Sequence, residues 1–277
     1  MSLQVSSINS GSNGNCYYAG NDKEAVLIDI GISCREVEKR LKRLSLDIGK
    51  IKAIFISHEH SDHIRGLEVF SRKHKIPVYI TRETLREGRL FIDENLLRTF
   101  RAHDPVVIGD LVITAFPKFH DAADPHSFIV EHSGVVAGIF TDIGESCDHV
   151  KTYFQKCHMA FLESNYDEQM LESGAYPYYL KKRIRSDKGH LSNDQALKLF
   201  LEHKPEFMSH VFLSHLSKEN NCPILAGDLF KKHCGNTEVI VASRYNETPV
   251  YNIGEVNPGM VPMPALPEQM SLFGSGL

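Results

Sequence analysis

Ser57-His58-Glu59-His60-Ser61-Asp62-His63 is the stretch on which the fold of this chain turns. It follows directly on Ala53-Ile54-Phe55-Ile56, an apolar run of strand length. Such a run predicts a buried strand. The histidines then occupy the loop at its carboxyl end, where open α/β sheets carry their chemistry. Three imidazoles and a carboxylate within six residues are ligands for zinc, manganese or iron. A merely solvated loop has no use for four such groups in one tight turn, so a metal site is expected here.

The rest of the chain sets bounds on that site. Its 277 residues have room for one large domain or two small ones. The composition, 42% hydrophobic and 24% charged, is globular. No apolar run approaches the roughly 20 residues that span a membrane. Met1-Ser2-Leu3-Gln4-Val5 has neither the basic start nor the apolar core of a secretory signal. The six cysteines form no CxxC pair, which argues against a cysteine zinc site and a dense disulfide framework. Mostly buried thiols in a cytoplasmic protein are expected. A net charge of −4 exerts no global pull on nucleic acid, so such a partner needs a local basic patch.

Before the histidine stretch, Ser6 to Asn15 is rich in Ser, Asn and Gly, and is either a phosphate-lining loop or an ordinary hairpin loop. Ala25-Val26-Leu27-Ile28 reads as a strand ending in Asp29-Ile30-Gly31, and Ser33 with Glu36 as a capping box opening a helix. After the stretch, residues 64–75 read as one helix, and residues 81–98 look helical and charged. Two short strands about Gly109-Asp110 deliver Phe119-His120-Asp121. A second pair, about Ser133-Gly134, ends in Thr141-Asp142-Ile143-Gly144 and so echoes the end at Asp29. Met159 to Leu162 leads into Glu163-Ser164-Asn165, and Val211 to Leu213 into Ser214-His215-Leu216-Ser217.

Lys181, Lys182, Arg183, Arg185 and Lys188 lie immediately before Gly189-His190-Leu191-Ser192. At the mouth of a site they would hold phosphates and make binding salt-dependent. Ser192 and Gln195 form a further capping box. From residue 255 the chain turns to Pro, Met and Gly, with prolines at 258, 262, 264 and 267. That excludes regular structure, and divides the chain into a folded part, 1–254, and a flexible, disordered tail, 255–277.

His58-x-His60-x-Asp62-His63 resembles the signature of the metallo-β-lactamase superfamily, and Asp29, His120, Asp142 and His215 stand in the matching order. The resemblance spans about residues 1–245 and implies an α/β (α+β) fold, the αββα sandwich. It implies two divalent metal ions: one on His58, His60 and His120, the other on Asp62, His63 and His215, bridged by Asp142. Asp29 would orient the ligand loop. The donors are all N or O, so zinc and manganese both suit them and iron is possible; the sequence does not choose.

Lys188-Gly189-His190-Leu191-Ser192 and Leu213-Ser214-His215-Leu216-Ser217 resemble paired motifs of the nuclease and phosphodiesterase branch, including RNase Z. This implies catalytic roles for Asp62, His190 and Glu163, with His190 at the scissile phosphate or leaving oxygen and Glu163 orienting it. Ser10-Gly11-Ser12-Asn13-Gly14-Asn15-Cys16, with the runs at 188–193 and 213–221, resembles the YycJ/WalJ-type nuclease family. The implied activity is that of a 5′→3′ DNA exonuclease acting in repair or replication. The alternatives are an RNA-processing or small-molecule phosphodiesterase of the same fold, and a non-catalytic regulatory protein. Gln269-Met270-Ser271-Leu272-Phe273 resembles the pentapeptide that binds the β sliding clamp, with Gln269, Leu272 and Phe273 as its contacts.

Overall fold

The computed structural model describes residues 2–254. The tail readings, including Gln269, Leu272 and Phe273, lie outside the described residues. Along the chain, strands β1 (Leu3–Asn9), β2 (Cys16–Gly20), β3 (Ala25–Ile28), β4 (Ile51–Phe55), β5 (Val78–Tyr79) and β6 (Leu97–Arg98) build the first sheet. Strands β7 (Pro105–Ile108), β8 (Leu111–Pro117), β9 (His126–His132), β10 (Val135–Phe140), β11 (Met159–Glu163), β12 (His210–Ser214) and β13 (Glu238–Val241) build the second, and β14 (Tyr251–Ile253) returns to the edge of the first beside β1. The helices are α1 (Cys34–Arg43), α2 (Ser61–Ile64), α3 (Leu67–His74), α4 (Arg82–Glu87), α5 (Asp148–Phe154), α6 (Glu168–Ser173), α7 (Tyr178–Ile184), α8 (Asn193–His203) and α9 (Pro223–Lys231).

The layering follows from side-chain alternation along the strands. On β3, Val26 and Ile28 enter the core between the sheets, whereas Ala25 and Leu27 face the opposite way, in the core with Val37 and Leu41 of α1 and Phe70 of α3. The second sheet does the same, with Phe161 inward and Ala160 and Leu162 outward against Phe154 of α5, Phe200 of α8 and Phe230 of α9. Both faces of these strands are therefore apolar, which is why they read as continuous hydrophobic runs. Phe55 and Phe128 meet edge to face across the sheets at 5.7 Å, and Tyr17 meets Phe161 at 4.8 Å. Each such buried ring contributes roughly 1.5–3 kcal/mol. This is the αββα sandwich.

Two helix expectations are corrected. The reading of one helix over 64–75 breaks at Gly66, where a Cβ would sit 2.0 Å from the carbonyl oxygen of Ile32. The chain passes so close to the β3 end that it must leave α2 and restart as α3. Of the helix expected over 81–98, only Arg82–Glu87 forms. After Gly88 the chain turns about Asp93 and enters β6, whose Leu97 pairs with Val78. Ser192 and Gln195 make a full capping box, whereas at α1 only half of the expected box forms: Ser33 Oγ accepts from the amide of Glu36, and the Glu36 carboxylate lies against Lys39 and Arg40 instead.

Candidate metal centre

Parallel pairing brings the carboxyl ends of several strands to one edge of the sandwich. Ile28 pairs with Phe55, Phe140 with Leu162 and Glu163 with Ser214. Asp29, Asp142 and His215, each just beyond a strand, have positive φ of 62°, 55° and 57°. A non-glycine residue held there costs on the order of 1–3 kcal/mol, so three at one edge mark a functional constraint. Each bend is fastened locally. The Asp29 amide donates to Phe55 O, that of Ile143 to Glu163 Oε2, and that of His215 to Ser10 Oγ.

The expected donors converge in two groups. His58 Nε2 lies 3.1 Å from His60 Nδ1, and His120 Nε2 lies 3.3 Å from that same atom. In the second group, Asp62 Oδ2 is 3.7 Å from His63 Nε2 and 3.5 Å from His215 Nε2. Asp142 reaches both groups, with its carboxylate 3.2 Å from His63, 3.5 Å from His215 and 3.8 Å from His120. Asp142 Oδ2 and His215 Nε2 are buried without a hydrogen-bond partner. Orphaned groups of that kind are costly unless something else satisfies them. The residues fit divalent ions: the donors are imidazole and carboxylate, and the gaps between them fall within 4.8 Å in each cluster.

The far ring nitrogen of four histidines is committed to a protein oxygen, which turns the near one toward the cluster. His58 Nδ1 meets Ser57 Oγ at 2.9 Å, His63 Nδ1 meets Asp29 Oδ2 at 2.7 Å, His120 Nδ1 meets Gly189 O at 3.1 Å, and His215 Nδ1 meets Glu163 Oε1 at 3.0 Å. Asp29 also accepts from both the amide and the hydroxyl of Ser57, so it orients the whole loop. Asn15, from the Ser/Asn/Gly run, touches Asp62 Oδ2 and His63 Nε2.

Burial pushes the His58 and His120 rings well down, which leaves them neutral and able to donate a lone pair. Burial acts on His63 too, but the charges of Asp142, Asp29 and Asp62 outweigh it and hold that ring up at about 10. Burial likewise opposes ionisation of Glu163, yet the charges and hydrogen bonds of His190 and His215 hold its carboxyl down at about 2. An ion held by His63 and His215 would have to displace their protons, which would make its uptake pH-dependent.

Beside this cluster, His190 Nδ1 lies 2.8 Å from Glu163 Oε1. A cavity of about 170 Å³ opens there, lined by His190, His215, Ser12, Asn165, Tyr176 and Arg183 among others. The basic run lies on and after α7, but much of its charge is engaged. Arg183 pairs with Asp121, Arg185 with Glu168 and Glu172, and Lys181 donates to Glu172 O. Lys182 and Lys188 are exposed and form no ion pair among the described residues. Sequence reasoning missed Asn15, buried Lys118, whose Nζ donates to Thr141 O at 2.6 Å, and the exposed Tyr178 and Tyr179 on α7. The Tyr176-Pro177-Tyr178-Tyr179 run was the available signal for the last pair.

A strand-end cluster of this kind in an αββα sandwich defines a metallohydrolase class, and the model of the Metallo-beta-lactamase superfamily matches residues 10–161. The chain belongs to that superfamily, whose fold holds divalent metal ions. Within it, the chain is 35% identical over 231 residues to exodeoxyribonuclease YycJ of Bacillus anthracis, across 82% of this chain and 87% of that relative. It is 32% identical over 231 residues to exodeoxyribonuclease WalJ of Streptococcus pneumoniae serotype 2 (strain D39 / NCTC 7466), across 81% and 85%. The fold matches the crystal structure of the metallo-beta-lactamase fold protein YhfI from Bacillus subtilis at a TM-score of 0.69 and 16% identity, across 91% of this chain and all of that one. Among the described residues no helix is long and apolar enough to cross a membrane.

Proposed function

We propose that the chain is a metal-dependent DNA exonuclease that hydrolyses phosphodiester bonds from the 5′ end. The observation that carries this reading is the His190–Glu163 pair set against the two donor groups, in a chain 35% identical to an exodeoxyribonuclease. His58, His60 and His120 would hold one ion, Asp62, His63 and His215 the other, with Asp142 shared; zinc and manganese both suit these donors. When bound, such ions acidify a water molecule and offset charge that builds on the phosphate. Asp62 takes up the proton that the attacking water loses and passes it to solvent. The water oxygen bonds to phosphorus as the bond to the leaving oxygen breaks. His190 delivers the Nε2 proton to that oxygen while Nδ1 stays on Glu163. Lys182 and Lys188 draw in the backbone from solvent, and Arg183, anchored through Asp121, lines the cavity that receives it.

The test is a time course on duplex DNA labelled at the 5′ or the 3′ end, with manganese or zinc. Early release of the 5′ label as a mononucleotide supports the reading. Cleavage of a tRNA precursor or a small phosphodiester with DNA left intact supports the RNA-processing or small-molecule alternative. Residues 1–254 carry this chemistry in our reading, and the tail, through Gln269, Leu272 and Phe273, tethers it to the sliding clamp during repair or replication. Loss of clamp retention in Phe273→Ala, with nuclease activity unchanged, tests the tether.

A further inference from the structure

A second cavity, of about 230 Å³, shares Ser217 with the cavity beside His190. Leu216, Lys218, Pro223, Val241, Arg244 and Tyr245 are among its walls. One wall atom stands out: Arg244 Nη1 is buried and makes no hydrogen bond among the described residues. A desolvated guanidinium donor left unpaired costs on the order of 1–3 kcal/mol or more, so the site is built for an anion. The surroundings have the same sign. Lys218 borders the cavity, and among the described residues its ion pair is with an exposed neighbour, Glu219, at 3.4 Å. Pro223 is the first residue of α9, whose N-cap, Cys222, makes no side-chain capping bond. The positive end of that helix therefore lies at the cavity wall. The other walls mix apolar Val241 and Ala242 with polar Asn221 and Ser243, and Tyr245 presents a largely exposed ring with the Arg244 guanidinium 5.9 Å from its centre.

The Ser/Asn/Gly run ties this cavity to the catalytic edge. Asn13 Nδ2 donates to Arg244 O at 2.8 Å. Gly11, at φ +138°, lies so close that a Cβ there would be 3.3 Å from Arg244 Cβ. The same run supplies Ser10 to the His215 amide and Asn15 to Asp62. One short loop thus sets Arg244 and the donor cluster in fixed relation.

From these features we infer that the second cavity is a nucleotide subsite. It takes the nucleotide next to the scissile phosphate, with the phosphate on Arg244 and Lys218 and the base against Tyr245. This rests on the nuclease reading for the ligand's class. The wall at Ser217 shared with the cavity beside His190, and charge complementarity, select a nucleoside 5′-monophosphate unit over a peptide or a lipid.

The test is calorimetric titration of deoxyadenosine 5′-monophosphate into the full chain, as purified and after chelation, beside titrations of deoxyadenosine and of inorganic phosphate. The inference expects binding that survives chelation, and weakens on the order of tenfold or more in Arg244→Ala and for deoxyadenosine. Arg244→Lys restores part of it, and Tyr245→Ala weakens the nucleotide but not inorganic phosphate. Lys218→Ala and Tyr245→Ala, at exposed positions, keep the test decisive if Arg244→Ala does not fold. Absence of nucleotide binding after chelation, or equal affinity in all the variants, overturns the subsite. DNA degradation with no such binding leaves the nuclease reading standing without it; Arg244-dependent binding with intact DNA overturns the nuclease reading alone.

Discussion

His190 Nδ1 lies 2.8 Å from Oε1 of Glu163, a carboxylate with no solvent exposure. The same oxygen is 3.0 Å from His215 Nδ1. One buried atom therefore orients both His215, in the donor cluster, and His190, at the wall of the adjoining cavity. Glu163→Gln should lower kcat by about 10²- to 10⁴-fold and metal affinity by about 10- to 100-fold. His190→Ala should lower kcat over the same range with metal content unchanged. Elemental analysis beside initial rates separates the two, and equal metal loss in both variants would show that His190 is a ligand.

Asp29 accepts three hydrogen bonds, from Ser57 N, Ser57 Oγ and His63 Nδ1. Asp29→Ala leaves those donors buried and unpaired, at about 1–3 kcal/mol each before relaxation. The expected result is a lower thermal midpoint and metal affinity weaker by about 10- to 100-fold. A variant that loses stability but binds metal as tightly as the wild type contradicts the orienting role.

Gly31 packs against the histidine loop so closely that a Cβ would sit 1.7 Å from Asp62 O and 2.4 Å from Asn15 N. Backbone must move to admit a methyl group, so Gly31→Ala should cost about 3 kcal/mol or more and reduce metal uptake. Urea unfolding and metal content measure the two effects.

Away from the site, Glu38 Oε1 receives hydrogen bonds from Lys73 and His74, which hold the carboxyl down at about 2. A depressed carboxyl contributes stability that is fully present above its unfolded value and lost as pH falls through the folded one. Glu38→Gln should therefore lower the urea midpoint near neutral pH, with the difference from wild type closing between about pH 4.5 and pH 2. A difference that persists unchanged at the acid end contradicts the ion-pair account.

The converging His and Asp cluster is legible because strand and loop chemistry are local. Ala53-Ile54-Phe55-Ile56 can hardly be other than a buried strand, and His58 to His63 have no bland use at its end. The continuous apolar runs of β3 and β10 mark strands buried on both faces in the same way. What could not be read depends on close approach across the chain. The break at Gly66 exists because Ile32 O lies against it, and no periodicity within 64–75 reveals that neighbour. The basic run looked like a free phosphate clamp because its acids, Asp121, Glu168 and Glu172, sit outside it in sequence. The Ser/Asn/Gly run reads as a loop of either kind; its tasks at His215 and Arg244 need partners more than 200 residues away.

The central claim is that the converged donors hold ions that cut DNA. Its most direct test is release of mononucleotides from 5′-labelled duplex by chelated protein as manganese or zinc is restored, for wild type and Asp142→Asn. The account predicts no release after chelation, recovery that tracks metal bound, and a loss on the order of 10³-fold or more in Asp142→Asn. Release that persists without metal, or intact DNA from a fully loaded wild type that hydrolyses a small phosphodiester or a thioester, contradicts it.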